Sequence, residues 1–246
     1  MDEQNLIRIN KFLSEVGFCS RRAADTLVEE GRVTANGVVC VMGSKVTRSD
    51  EIKVNGMLVS APVQKHVYIA FNKPVGIVCT TDVKAEKNNI IDYIKHPQRI
   101  FPVGRLDKPS EGLIFLTSDG DIVNKILRAG NNHEKEYVVS VDRPITDDFI
   151  FEMSNGVPIL ETTTRKCFVE KLDRFRFRII LMQGLNRQIR RMCDYLGYEV
   201  TKLKRVRIMN IELDLPIGKW RDLSDAEMEV INGLLVDSSK TDNEDE

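Results

Sequence analysis

Three groups of side chains in this 246-residue sequence have the types and spacing to do chemistry. The first centres on Asp107, in Gly104-Arg105-Leu106-Asp107-Lys108-Pro109-Ser110-Glu111-Gly112, a polar turn between Phe101-Pro102-Val103 and the apolar run Leu113-Ile114-Phe115-Leu116. The second of these reads as a strand buried on both faces. The turn therefore stands at the rim of a core, where rigid strands can hold a carboxylate in place. Arg105 and Lys108 flank it, two cations that favour a carboxylate between them. Taken alone, Asp107 is equally an ordinary turn aspartate, present for local hydrogen bonding. The second group is Tyr137, at the entry of the alternating stretch that follows His133-Glu134-Lys135-Glu136, where a ring can be wall or tool. The third is Asn186-Arg187-Gln188-Ile189-Arg190-Arg191-Met192-Cys193. Ile189, Met192, Cys193 and Leu196 share one helical face, while Arg187, Arg190, Arg191 and Asp194 share another about half a turn away. Three arginines thus project from the first two turns of a helix that Asn186 would cap, against its dipole. Lys202, Lys204, Arg205 and Arg207 follow closely, without the i, i+4 acids that would neutralise them. A polyanion is the partner this pattern favours.

The elements that must position these groups fall into two sets. Ile9, Phe12, Leu13 and Val16 make an amphipathic helix stopped by Gly17. Ser20 caps a second helix, with Ala23, Ala24, Leu27 and Val28 toward the core and Arg21 and Arg22 in its first turn, a natural anion seat. Short β-branched runs broken by Asn36-Gly37 and Asn55-Gly56 follow, both tight-turn signals. The segment at 60–66 lacks periodicity, contains Pro62 and reads as a linker. Beyond it come a strand from Val67 through Phe71, the turn Asn72-Lys73-Pro74-Val75-Gly76, a strand over 77–80, and a short helix capped by Asn88 and bearing Ile90, Ile91 and Ile94. A helix after Asp119-Gly120 packs through Ile122, Val123, Ile126 and Leu127, another follows Thr146, and Phe175-Arg176-Phe177-Arg178 alternates as a strand. Ser224-Asp225-Ala226-Glu227 is a capping box opening a last helix with Met228, Ile231 and Leu235.

Composition narrows the partners. The net charge of −1 hides a separation: residues 1–64 carry 8 basic and 8 acidic side chains, 65–222 carry 27 and 21, and 223–246 carry 1 and 8. The middle is basic and the tail acidic, so the whole-chain balance misleads. Five cysteines lie scattered without a C-x-x-C pair and the three histidines are dispersed, which implies reduced thiols and no zinc or iron site. No apolar run reaches eighteen residues, so no membrane-spanning helix is expected. The acidic, polar start Met1-Asp2-Glu3-Gln4-Asn5 is unlike a signal peptide, making the cytoplasm the expected compartment.

Residues 6–60 resemble the S4 RNA-binding domain through Arg8, Asn10-Lys11-Phe12-Leu13, Cys19-Ser20-Arg21-Arg22, Ala24, Gly31, Val33 and Asn36-Gly37. The resemblance implies that Lys11, Arg21 and Arg22 contact RNA backbone. Gly104-Arg105-Leu106-Asp107, Glu134-Lys135-Glu136-Tyr137 and Asn186-Arg187-Gln188-Ile189-Arg190-Arg191-Met192 are similar to the three signature motifs of the RsuA/RluB/RluE/RluF-type pseudouridine synthases, with Asn72-Lys73-Pro74-Val75-Gly76 and Lys202-Leu203 at further matching positions. The likeness extends over roughly residues 6–235. The acidic end departs from relatives with long basic extensions. The family resemblance implies an α+β fold: an S4-like domain over 6–60, a linker at 61–66, a catalytic domain over 67–236 on a mixed, mainly antiparallel sheet with flanking helices, and a disordered acidic tail over 237–246. It implies isomerisation of a specific uridine in large-subunit ribosomal RNA, with a tRNA uridine open as a second substrate, without cofactor or metal; a monomer is the default expectation. By the same carry-over Asp107 is the nucleophile, Tyr137 stacks on the flipped base and takes the C5 proton in a closed aromatic pocket, and Arg190 pairs with Asp107. Arg105, Leu106, Lys108, Arg187, Gln188, Ile189 and Arg191 would hold the displaced nucleotide and its neighbours. Two other classes compete. A non-catalytic S4-type assembly factor would use the second domain only for grip. A base deaminase would need the H-x-E and C-x-x-C zinc signature, which is missing.

Overall fold

A computed structural model describes residues 6–59 and 65–238, and the chain divides into two compact units, Met1–His66 and Val67–Glu246. Positions 61–64 of the expected linker and 239–246 of the expected tail lie outside the described residues.

In the first unit, strand β1 (Ile7–Arg8) leads into helix α1 (Ile9–Glu15) and helix α2 (Arg21–Glu29). Ser20 caps α2 by accepting from the Ala23 N–H at 3.1 Å, a contact worth about 1 kcal/mol. Phe12, Leu13, Ala24 and Val28 close a core with Val33, Val46, Ile52 and Val54. Ala23, expected in that core, is exposed. The small strands β2 (Val33–Ala35), β3 (Val38–Val39), β4 (Lys45–Val46), β5 (Ile52–Val54) and β6 (Met57–Leu58) form a sheet ordered β3-β2-β5-β6, with β4 paired to β1. Asn36 and Asn55 adopt positive φ, and each is followed by a glycine that does the same, as two-residue hairpin turns of this kind require.

The second unit is built on nine strands. They are β7 (Tyr68–Lys73), β8 (Phe101–Val103), β9 (Glu111–Thr117), β10 (Lys135–Val141), β13 (Phe168–Lys171), β14 (Arg176–Leu181), β15 (Val200–Ile208), β16 (Ile211–Glu212) and β17 (Trp220–Asp222), with the pair β11 (Pro158–Ile159) and β12 (Thr162–Thr163) set apart. The order is β13-β14-β10-β15-β9-β7-β17, with β16 beside β15 and β8 beside β9. Every pairing is antiparallel except β15 with β9. This is the mixed, mainly antiparallel sheet of the α+β class. All seven residues of β9 are buried, as its unbroken apolar run predicts. Helices α3 (Ile90–Ile94), α4 (Gly120–Leu127), α5 (Asp147–Asn155), α6 (Gln188–Tyr195) and α7 (Asp225–Leu234) supply three further apolar clusters.

Three local expectations are corrected. Asn89, one residue later than expected, caps α3 by accepting from the Asp92 N–H at 2.8 Å. Residues 77–80 form no strand, only an isolated bridge between Val78 and Asn89. Helix α6 starts without a side-chain cap: Arg187 occupies the cap position with φ 50°, and the Asn186 oxygens instead accept from the Arg191 guanidinium.

Candidate active site

The Asp107 turn is held from several sides. Its own backbone closes through the Ser110 N–H donating to the Asp107 carbonyl at 3.0 Å, and the Gly76 N–H donates to the Lys108 carbonyl at 2.8 Å. The Leu106 N–H donates to the Cys79 sulfur at 3.4 Å. Beneath the turn lies Lys73, fully buried, its ammonium donating to the carbonyls of Ser110 at 2.8 Å and Pro74 at 2.9 Å. Burial lowers the Lys73 pKa despite nearby Asp107 and Glu111. A buried ammonium that spends its protons on two turn carbonyls fixes where the next carboxylate can stand.

Helix α6 brings the arginines to the same place. Its inner face, Ile189, Met192 and Cys193, is buried, and burial drives the Cys193 thiol up to about 12. The opposite face delivers Arg187, whose Nη1 is 3.4 Å from Asp107 Oδ2, and Arg190, whose Nε is 3.9 Å from the same oxygen. The two are not equivalent. The Arg187 side chain is 45% exposed; that of Arg190 is 14% exposed. Arg190 donates to the carbonyls of Val200 at 3.1 Å and Pro109 at 3.3 Å and to Ser110 Oγ at 3.2 Å. It grips the turn as well as facing its carboxylate. Desolvation lowers the Arg190 pKa first, Arg187 adds to that, and Asp107 opposes it.

Asp107, Arg187 and Arg190 open onto a solvent-open cleft whose lining includes Arg105, Leu106, Tyr137, Leu181, Gln183 and Leu203. The sheet register places Tyr137 opposite Ile179 on one side and Arg205 on the other, with Arg205 opposite Gly112 and Gly112 opposite Lys73. Arg205 is buried, donates to the Leu113 carbonyl at 2.6 Å and has its guanidinium carbon 5.9 Å from the Tyr137 ring centroid. One ring is therefore fixed by a cation, and the other walls are aliphatic. The aromatic enclosure expected around Tyr137 is absent from the described lining, because Leu106, Leu181 and Leu203 occupy it.

The expected site residues separate accordingly. Asp107, Tyr137, Arg190, Arg105, Leu106, Arg187, Gln188 and Ile189 all line the cleft. Gln188 and Ile189 are themselves buried, and the Gln188 side chain accepts from the Leu185 N–H at 3.1 Å, tying down the loop ahead of α6. Arg191 faces a neighbouring groove shared with Arg187, Arg190 and Tyr198. Lys108 leans to Glu86 at 3.5 Å. The basic run on β15 is divided, and two of its four cations are paired with acids on other strands or the loop before β10. Arg205 points in, Arg207 pairs with Glu134 and Glu136, and Lys202 pairs with Glu111. In the first unit Arg21 and Arg22 are exposed at the start of α2, while Lys11 is 3.4 Å from Glu15. The sequence reading missed Ser110 and the work of Lys73 and Arg205. Lys73 left a signal, a lysine ending an apolar strand just before proline; Arg205 was masked by its basic neighbours. No group of three or more metal-ligating side chains occurs among the described residues.

Residues 67–195 match the family model described as RNA pseudouridylate synthase, and residues 7–52 match the S4 domain model. The chain is 57% identical over 235 residues to the dual-specificity RNA pseudouridine synthase RluF of Escherichia coli (strain K12), covering 95% of this chain and 81% of that protein. It is 34% identical over 236 residues to the ribosomal large subunit pseudouridine synthase B of Bacillus subtilis (strain 168), covering 92% and 96%. A crystal structure of a pseudouridylate synthase aligns with a TM-score of 0.67 at 27% identity, covering 92% of this chain and 99% of that one.

Proposed function

The chain belongs to the RNA pseudouridylate synthase family, and on that premise we propose that it isomerises a uridine of large-subunit ribosomal RNA with Asp107 as the catalytic carboxylate. The observation that carries the residue assignment is the meeting of Asp107 Oδ2, two guanidinium groups and the Tyr137 ring in one cleft.

The reaction conserves every atom of the base. The bond from C1′ to N1 breaks, the uracil turns, and C1′ joins C5; the C5 proton leaves and N1 gains one. The uridine must first leave its stack, at a cost of a few kcal/mol, which cations gripping nearby phosphates offset. Asp107 acts as the nucleophile that starts this exchange, and the bond it forms to the nucleotide is broken again by the time C1′ has joined C5; Arg190 and Arg187 orient its carboxylate. Tyr137 stacks on the base, backed by Arg205, and receives the C5 proton. Leu106, Leu181 and Leu203 keep the detached uracil from water. The dual specificity named for the Escherichia coli relative supports a second RNA class, for which we propose a tRNA uridine. A ribosomal RNA substrate supports action in the cytoplasm. No helix among the described residues is long and apolar enough to cross a membrane.

Pseudouridine mapping of ribosomal RNA and tRNA tests this reading. Cells lacking the protein should lose modification at one ribosomal uridine, and at a tRNA uridine if the second substrate is right. The wild-type chain should restore both and Asp107→Asn neither. An unchanged ribosomal map on loss of the protein contradicts the assignment.

A further inference from the structure

A cluster of aromatic and basic side chains stands outside the chemistry described so far. Trp220 opens the edge strand β17 and pairs with Phe71 of β7. Its ring meets His96 edge-on at 5.7 Å, and the Phe71 ring is 5.5 Å from Tyr93 of α3. Trp220 and Tyr93 nonetheless remain 38% and 44% exposed. Lys95 and Lys219, next in sequence to His96 and Trp220, are exposed, and among the described residues neither ammonium has an ion pair or a side-chain hydrogen bond. Lys202, Arg207 and Arg221 of this unit, by contrast, are held in ion pairs. Exposed rings beside unpaired lysines are what a single-stranded nucleic acid uses, one to stack its bases and the other to take its phosphates.

The place of the cluster in the sheet connects it to the cleft. Phe71 lies two residues before Lys73, and Lys73, Gly112, Arg205 and Tyr137 form one row of paired residues. Side chains two apart on a strand share a face, so Trp220 lies on the sheet face that carries Tyr137. Four strand-to-strand steps separate them, roughly 20 Å at about 4.8 Å per step. That span is about six nucleotides of stacked strand at about 3.4 Å each, and fewer where the strand is extended. Backbone contacts tie the intervening segments together: the Gly218 N–H donates to the Asn72 carbonyl at 2.8 Å, and the Gly76 N–H donates to the Lys108 carbonyl of the Asp107 turn at 2.8 Å.

We propose that Trp220 and His96 form a stacking platform for an unpaired nucleotide of the substrate RNA, within about six nucleotides of the target uridine, with Lys95 and Lys219 holding its phosphates. This rests on the RNA-modifying reading above and adds to it a second point of grip that sets which RNA context is accepted.

Trp220 is the one tryptophan of the sequence, so its emission reports this site alone. Titrating the full chain with a stem-loop RNA containing the target should quench that emission to saturation, with a midpoint at the Kd obtained by filter binding. Trimming the RNA one nucleotide at a time from each end should abolish the quench before it abolishes binding. Lys95→Ala with Lys219→Ala, exposed positions that leave folding intact, should weaken binding of the long RNA several-fold and flatten the log K against log salt slope by about 1.4. Trp220→Ala should weaken it about tenfold. Saturable binding and pseudouridine formation with unchanged emission, or an unchanged salt slope in the double lysine variant, overturns the platform and leaves the enzyme reading standing. A quench with no pseudouridine formed on any RNA would instead overturn the enzyme reading.

Discussion

At the scale of single residues, the two arginines facing Asp107 carry different loads. Arg190 is mostly buried and donates to two carbonyls and a hydroxyl besides facing the carboxylate. Arg187 is nearly half exposed, and Asp107 is its nearest acid. Removing Arg190 frees the turn as well as the charge, so Arg190→Ala should lower single-turnover pseudouridine formation by about 10²-fold or more. Arg187→Ala should cost less than about tenfold, mostly in KM. Equal losses would contradict this division. Lys135 provides a pH test. Its ammonium is buried with one partner, the His133 carbonyl at 3.2 Å, and burial, then Arg205, bring its pKa down from 10.5 to about 8. The unfolded chain keeps this proton up to about 10.5 and the folded chain releases it above about 8. Unfolding therefore takes up a proton in that window, and rising pH favours the folded form. Below pH 8 the full penalty applies, on the order of 3 kcal/mol. Urea denaturation should show Lys135→Met more stable than wild type at pH 7.5, with the advantage shrinking by pH 10. A constant difference would refute the burial argument.

At the scale of elements, the seam that positions the candidate site is the parallel strand pairing of β15 against β9. It sets Arg205 opposite Gly112. Gly112 has φ 110°, and a methyl there would stand 2.7 Å from the Arg205 backbone nitrogen and collide with its carbonyl oxygen. Gly112→Ala should therefore cost roughly 3 kcal/mol or more in denaturant unfolding, and a loss below about 1 kcal/mol would show that the seam can yield. Elements defined by local periodicity were legible in the sequence. The buried strand β9, the Ser20 cap, the helix after Thr146, the Ser224 capping box and the two-faced helix α6 all follow from residue types and spacing. What local pattern could not supply was contact across distance. Residues 77–80 read as a strand because they are apolar and β-branched, but Ile77 and Cys79 pack into the core without a strand partner. Asn186 read as a cap because asparagine suits that position, yet the Arg191 guanidinium claims its oxygens.

At the scale of the molecule, a nearly neutral chain conceals a basic middle segment, and the folded form shows how much of that charge is free. Several cations of 65–222 are neutralised across strands, which no i, i+4 count on one strand can reveal. The candidate site was legible through its motifs only as an expectation, and the sheet and α6 bring Asp107, Tyr137 and Arg190 from three separated stretches to one cleft. Its supports, Lys73, Ser110 and Arg205, depend on pairing register and were not. In the first unit, Arg21 and Arg22 are exposed at the start of α2, where a phosphate would suit both the charges and the helix end. Replacing both by alanine should weaken RNA binding and reduce its salt slope by about 1.4 to 1.8; an unchanged slope would remove them from the RNA contact. The central claim is that the Asp107 carboxylate performs the isomerisation, and release of tritium from RNA labelled at uridine C5 tests it most directly. With enzyme in excess, wild type should release one tritium per target uridine. Asp107→Asn should bind the same RNA within a few-fold yet release tritium at least about 10³-fold more slowly. Release by Asp107→Asn at the wild-type rate would contradict the account.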